Sequence, residues 1–262
     1  MNDILRIIAE NKRREVFDMY PYEYKEPQPF PQIPLAPLNS LSKSLQVTPG
    51  GIIAEFKRRS PSKGEIAPMA DVDKIVRQYY NNGAAAFSIL TDTRFFGGSA
   101  ADLAVATKLS GHIPVLRKEF IISKVQIKEA RLLGADAILL IATILSAEEL
   151  EDFNNYAHSI GLEALVEIHD LSELDKIHFM PDLLGVNNRN LSSFQTDVKH
   201  SFELVKSLPK DCLLVAESGI NNPEDLRRLK DAGFTGFLIG EAFMSNSDPG
   251  ATLKYFIEEI GK

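Results

Sequence analysis

The chain has 262 residues, 44% of them apolar and 25% charged, with a formal net charge of -7. That size and balance fit one soluble α/β barrel, typically about 250 residues, and the acidic balance disfavours a general nucleic-acid binder. A single cysteine, Cys212, excludes an intrachain disulfide and suits a reducing compartment.

The chain begins Met1-Asn2-Asp3-Ile4, without the basic start and apolar stretch of a signal peptide, and no later apolar run is long enough to span a bilayer. A cytoplasmic protein with no membrane partner is expected. Asp3–Tyr20 reads as an amphipathic helix, with Ile4, Leu5, Ile7 and Ile8 on one side, Lys12, Arg13 and Arg14 elsewhere, and Pro21 at its end. Pro27, Pro29, Pro31, Pro34 and Pro37 then mark an extended, polyproline-like connector. An SH3-type ligand is one reading of it. The interleaved Ile33, Leu35 and Leu38 favour a strap that packs the first helix onto the rest, so residues 1–48 read as helix and strap and 49–262 as the barrel, one domain overall.

From Gly51 onward, short β-branched or apolar runs alternate with longer amphipathic stretches. The candidate strands are Ile52–Lys57, Ala85–Leu90, Pro114–Lys118, Ala137–Ile141, Glu163–Ile168, Leu183–Asn187, Leu213–Glu217 and Gly236–Gly240. Helical patterns include Ser123–Leu133, Ser146–Ile160 and Pro223–Ala232, started by Ser123, Ser146 and Asn222 and followed or flanked by Gly134, Gly161 and Gly233, with Gly83 ending an earlier one. Eight strand–helix units with right-handed crossovers predict a (β/α)8 TIM barrel with an N-terminal helical extension. An open doubly wound sheet is the competitor, but its usual Gly-rich loop is replaced after the first strand by Arg58-Arg59-Ser60-Pro61.

Active sites of such barrels lie at the carboxyl ends of the strands. Charged or polar residues close five of these strands: Glu55 and Lys57 the first, Lys118 the third, Glu167 the fifth, Asn187 followed by Arg189 the sixth, and Glu217 the seventh. One such residue reads as a solvated strand end. Five converge on a single mouth, where buried charge persists when paired or functional, and a Lys/Glu cluster is also what acid–base chemistry requires. Ser218-Gly219-Ile220 and Gly240-Glu241-Ala242 follow the seventh and eighth strands, where barrels frequently bind phosphate through backbone amides. Each turn alone is ordinary. Together they predict an anion site, with the Glu241 side chain turned away from it.

The loop Arg58–Gly64 reads as a lid or rim over an anionic substrate, with a basic recognition tract or phosphorylation site as alternatives. Phe95 and Phe96 either stack on a planar substrate or pack under a loop. The histidines at 112, 158, 169, 178 and 200 show no metal-type spacing, so no metal is expected. His169 follows the fifth strand and is placed to reach the mouth, though a loop or capping role is the favoured reading, and Cys212 is read as a small core residue at the end opposite the active face.

These motifs resemble those of indole-3-glycerol-phosphate synthases. The resemblance is carried by Ile53-Ala54-Glu55-Phe56-Lys57-Arg58-Arg59-Ser60-Pro61-Ser62, Leu90-Thr91-Asp92, Phe96-Gly97-Gly98-Ser99 and Leu116-Arg117-Lys118-Glu119-Phe120-Ile121. It continues through Leu165-Val166-Glu167-Ile168, Gly185–Leu191, Ala216-Glu217-Ser218-Gly219-Ile220 and Leu238-Ile239-Gly240, in order along the whole barrel. It implies a cofactor-free conversion of 1-(2-carboxyphenylamino)-1-deoxyribulose 5-phosphate to indole-3-glycerol phosphate, carbon dioxide and water. By the same resemblance Lys118 is the general acid, depressed toward that role, and Glu167 the general base. Lys57 binds the substrate's carboxylate or phosphate and is a candidate second acid. Glu55 and Asn187 orient these groups, and Glu217 holds a lysine. Ser60, Arg189, Ser218, Gly219 and Gly240 bind substrate and phosphate, and Phe96, Phe120, Leu139 and Leu191 form an apolar wall. The implied partners are the anionic sugar phosphate and other tryptophan-pathway enzymes. Other phosphate-binding barrels are the rivals: a phosphoribosylanthranilate isomerase needs a thiol that Cys212 is misplaced to supply, and an epimerase typically needs metal ligands at strand ends. A non-catalytic scaffold barrel would have lost the charged strand ends.

Overall fold

A computed structural model describes residues 3–24, 27–28, 38–189 and 195–260. Eight parallel strands close into a barrel: β1 (Ile52–Phe56), β2 (Ala86–Leu90), β3 (Val115–Lys118), β4 (Ala137–Ile141), β5 (Glu163–Ile168), β6 (Leu183–Asn187), β7 (Leu213–Glu217) and β8 (Gly236–Ile239). β1 pairs with β2 (Ile53 beside Ala86) and with β8 (Ile52 beside Phe237), which leaves no edge and rules out the open sheet. β1, β2 and β4 are buried along their whole length. A parallel strand is covered on both faces, so its sequence is a continuous apolar run rather than an alternation.

Two helices, α1 (Asp3–Met19) and α2 (Leu41–Val47), precede the barrel. Around it follow α3 (Val72–Asn81), α4 (Thr93–Phe96), α5 (Ala100–Leu109), α6 (Lys124–Leu132), α7 (Ala147–Ser159), α8 (Lys199–Leu204), α9 (Pro223–Asp231), α10 (Glu241–Met244) and α11 (Pro249–Ile260), with a 3-10 helix, Leu171–Lys176, after β5. The expected starts hold. Ser123 accepts from the Val125 amide, Asn222 caps α9 ahead of Pro223, and Ser146 forms a reciprocal capping box with Glu149. Gly83, Gly134, Gly161 and Gly233 all take left-handed φ, between +87° and +111°.

The buried face of α1 differs from the expected one. Leu5, Ile8, Ala9, Lys12 and Val16 face inward at helical spacing, whereas Ile7 is 49% exposed. Lys12, read as part of the polar face, is 1% exposed. Its ammonium lies 3.0 Å from Asp92 and 3.2 Å from Glu119, the residues just beyond β2 and β3, and 3.0 Å from Glu15. Burial would weaken its hold on the proton, but Glu119 and Asp92 outweigh this and keep it charged. That buried ion cluster seats α1 over the carboxyl ends of the strands. Of the proline-rich strap, residues 29–37 lie outside the described residues. Leu38, beyond it, packs against the core.

Candidate active site

The carboxyl ends of the strands surround one cleft of about 1140 Å³, its open mouth included. Glu55, Lys57, Lys118, Glu167, Asn187 and Glu217 all line it. The Lys118 ammonium sits between two carboxylates, 2.9 Å from Glu167 Oε2 and 2.7 Å from Glu217 Oε2. The Lys57 ammonium donates to Glu55 Oε1 at 2.7 Å. Side chains from β1, β3, β5, β6 and β7 thus share one charged centre, which no segment of the sequence contains by itself.

The two carboxylates on Lys118 are pushed in opposite directions. Burial raises Glu167, but Lys118 and then His169 outweigh it and hold the carboxylate below its usual range. Burial raises Glu217 as well, and there Lys118 only partly offsets it while Glu167 adds to it, so Glu217 holds a proton more readily than an ordinary carboxyl. Pairs of carboxyls driven apart in this way divide acid and base roles. The expected depression of Lys118 is not found. Burial acts in that direction, but Glu167, Glu217 and Glu55 outweigh it and raise the ammonium above the usual lysine range. Its surroundings are anionic rather than cationic, so the ammonium keeps its proton. A proton taken up by Glu217 or Glu167 removes a counter-charge and makes Lys118 a stronger donor.

Two glycines exist because these carboxylates need their space. A Cβ on Gly185 would come within 2.2 Å of Glu217 Oε1, and one on Gly240 within 2.5 Å of Glu55 Oε1. The sequence assigns Gly240 to a phosphate loop for its backbone and presents Gly185 only as part of the Gly185–Leu191 motif, without a role.

The segment expected to receive an anion contains a strained turn. Ser218 has φ +67°, alone among the described non-glycine residues in being left-handed, and Gly219 follows at +77°. Such strain persists only where the surroundings enforce it. Buried Asn188 helps enforce it by donating to the Ser218 carbonyl at 3.2 Å. Ser60 and Arg189 line the same cleft, and Arg189 donates to Ser62 Oγ at 2.7 Å, tying the β6 loop to the loop after β1. In that loop Arg58 grips Asp102 with two bonds of 2.7 and 2.8 Å, and residues 59–60 and 64–65 form a small hairpin at the rim. The Glu241 side chain does not turn away as expected. It lies 3.3 Å from Lys63 and 3.7 Å from Arg189, because the rim cations attract it.

Phe96, Phe120 and Leu139 form part of an apolar wall, with the Phe96 and Phe120 rings 5.9 Å apart. Leu191 lies outside the described residues. Sequence reasoning missed the roof: Ile4, Leu5 and Ile8 of α1 also line the cleft. The helix pattern revealed an apolar face but not which surface it covers. His169, read as a loop or capping residue, stands in the cleft beside Glu167. Cys212 keeps its expected place just before β7, where burial pushes its thiol up to about 11.

A family model described as indole-3-glycerol phosphate synthase matches residues 6–256. A protein of that name from Bacteroides thetaiotaomicron is 48% identical over 261 residues, covering 99% of this chain and 100% of its own.

The chain belongs to the indole-3-glycerol phosphate synthase family.

Other members of the indole-3-glycerol phosphate synthase family show the same breadth of match. Those from Shouchella clausii and Bacillus mycoides are 43% and 45% identical, each covering 94% of this chain and 94% and 95% of their own. Among solved structures, a tryptophan synthase α subunit from Legionella pneumophila superposes with a TM-score of 0.63 at 13% identity, covering 86% of this chain and 99% of that one. A thiamine phosphate pyrophosphorylase from Pyrococcus furiosus gives 0.60 at 16%, covering 84% and 99%. At such identities these two speak for the barrel alone. No described helix is long and apolar enough to cross a membrane.

Proposed function

We propose that the Lys118–Glu167–Glu217 cluster performs the ring closure. The activity is that of the family, a decarboxylating lyase step of tryptophan biosynthesis acting on a phosphate-bearing sugar substrate. In our reading the substrate is 1-(2-carboxyphenylamino)-1-deoxyribulose 5-phosphate, and the products are indole-3-glycerol phosphate, carbon dioxide and water. The observation that carries the division of roles is one ammonium shared by two carboxylates of opposite tendency, at 2.9 and 2.7 Å.

The apolar wall and the α1 roof press the anilino ring against the sugar carbonyl, converting a loose encounter into a near-attack geometry. Lys118 protonates the carbonyl oxygen as the ring carbon attacks. Loss of carbon dioxide then restores the aromatic ring. Lys57 protonates the departing hydroxyl, while Glu167, kept anionic, removes the proton whose loss forms the indole double bond. Glu55 orients Lys57, Asn187 orients Glu167, and Glu217 holds Lys118 and sets its strength. The Ser218–Gly219 turn, Ser60, Arg189 and Gly240 receive the phosphate. The reaction needs no cofactor or metal, residues 1–48 act with the barrel 49–262 as one unit, and the protein works in the cytoplasm beside other enzymes of its pathway, with no nucleic-acid or membrane partner. Purified protein mixed with the anilino-deoxyribulose phosphate and a chelator is expected to develop indole fluorescence. Absence of that signal with a well-folded sample overturns the reading.

A further inference from the structure

His169 is a largely buried side chain, 9% exposed, in the cleft, and the ring-closure scheme gives it no role. Its surroundings fix it tightly. The backbone amide donates to Glu173 Oε2 at 2.6 Å, and its carbonyl contacts His200 Nε2 at 2.5 Å. The ring Nδ1 lies 3.0 Å from Thr143 Oγ1, and Thr143 donates its only hydroxyl hydrogen to Glu173 Oε1 at 2.6 Å. Toward the imidazole, Thr143 can therefore only accept, so Nδ1 carries a proton. The other nitrogen, Nε2, is buried without a hydrogen-bond partner among the described residues and lies 3.5 Å from Glu167 Oε1. That is the oxygen Lys118 does not take, since Lys118 bonds Oε2. A bare lone pair on Nε2 would face the carboxylate charge at that distance, which is repulsive. A proton on Nε2 makes the contact attractive.

We propose that His169 is the positioning residue for Glu167, holding a proton against Oε1 while Lys118 holds Oε2. The carboxylate is thereby clamped from both sides, its plane fixed and its charge maintained until it accepts the substrate proton. The chain Glu173–Thr143–His169 fixes the orientation of the ring, as a carboxylate behind a histidine does in other acid–base sites. Glu173, Asp170 and Glu167 are the carboxylates around the ring, with Lys118 and His200 the neighbouring basic groups. This inference rests on Glu167 being the base.

The test uses two amides that each replace one ring nitrogen. Gln places its amide nitrogen near the Nε2 position, and Asn near Nδ1. His169→Gln is expected to keep kcat within about 5-fold of the wild type, while His169→Asn lowers it about 10–100-fold with KM changed less than about 2-fold. In a Glu167→Gln background, His169→Asn should cause no further loss, because the clamp then has nothing to hold. Equal kcat for Asn and wild type, better function with Asn than with Gln, or an additive loss in the double variant would overturn the inference. If Glu167→Gln alone retains turnover, it is the base assignment that fails, which separates the two ideas.

Discussion

The two ends of the barrel carry the same residue types and use them differently. At the amino ends of the strands, carboxylates are saturated by donors. Asp136 accepts from the amides of Asn39 and Val115 at 2.7 and 2.8 Å. Glu163 accepts from Ser40 Oγ, the Ser42 amide and Ser42 Oγ within 2.7–2.8 Å. Asp182 meets the Ala164 amide at 2.8 Å and His158 Nε2 at 2.7 Å. At the carboxyl ends, carboxylates meet ammonium groups, and atoms are left over: Glu217 Oε1 and His169 Nε2 are buried without a hydrogen-bond partner among the described residues. A satisfied buried group stabilises, whereas an unsatisfied one costs free energy and persists where chemistry needs it. The lower end staples strands and the α2 segment together; the upper end leaves its charges only partly satisfied.

Substitutions at the two ends should therefore separate turnover from stability. The largest effect is expected for Lys118→Ala, with turnover down about 1,000-fold or more while affinity for inorganic phosphate, measured by calorimetry, stays within about 2-fold. Retained turnover would remove the upper end's claim to the chemistry. Asp136→Ala at the lower end leaves two backbone amides without their acceptor, costing about 2–3 kcal/mol. The Tm falls by about 5–10 °C, and kcat stays near wild type. A large kcat loss there would erase the contrast. Gly185→Ala forces Glu217 Oε1 to move and should lower kcat about 10–100-fold with a smaller stability change, read by steady-state kinetics beside thermal melts.

The smallest effect concerns pH. Glu217 is raised in the folded protein, so below the ordinary carboxylate range it costs nothing, and as pH climbs toward its folded value the wild type loses stability. Glu217→Gln removes that loss. Its Tm should exceed the wild type by about 2–4 °C at pH 8, roughly 1 kcal/mol, with no advantage at pH 4. Glu167 has the opposite sign: its contribution is present above the ordinary carboxylate range and fades as pH falls below it.

The amino-acid sequence by itself determined the eight strands, since runs such as Ala137–Ile141 are apolar throughout and end in turn signals. It also determined the charged strand ends, because Lys118 or Glu167 at the close of a buried strand contradicts its surroundings. Caps such as Ser146 and Asn222 were legible for a local reason: their partners lie within three residues. Only the tertiary structure decided what depends on distant partners. Lys12 belongs to the buried face because Asp92 and Glu119 wait there, about 80 and 107 positions along the chain. Lys118 is raised rather than depressed because its neighbours come from β5 and β7, and His169 enters the cleft because Thr143 and Glu173 turn its ring. Periodicity reports which side of an element is buried. Charge, proton affinity and orientation are set by whatever lies opposite, and closing the barrel is what brings that into place.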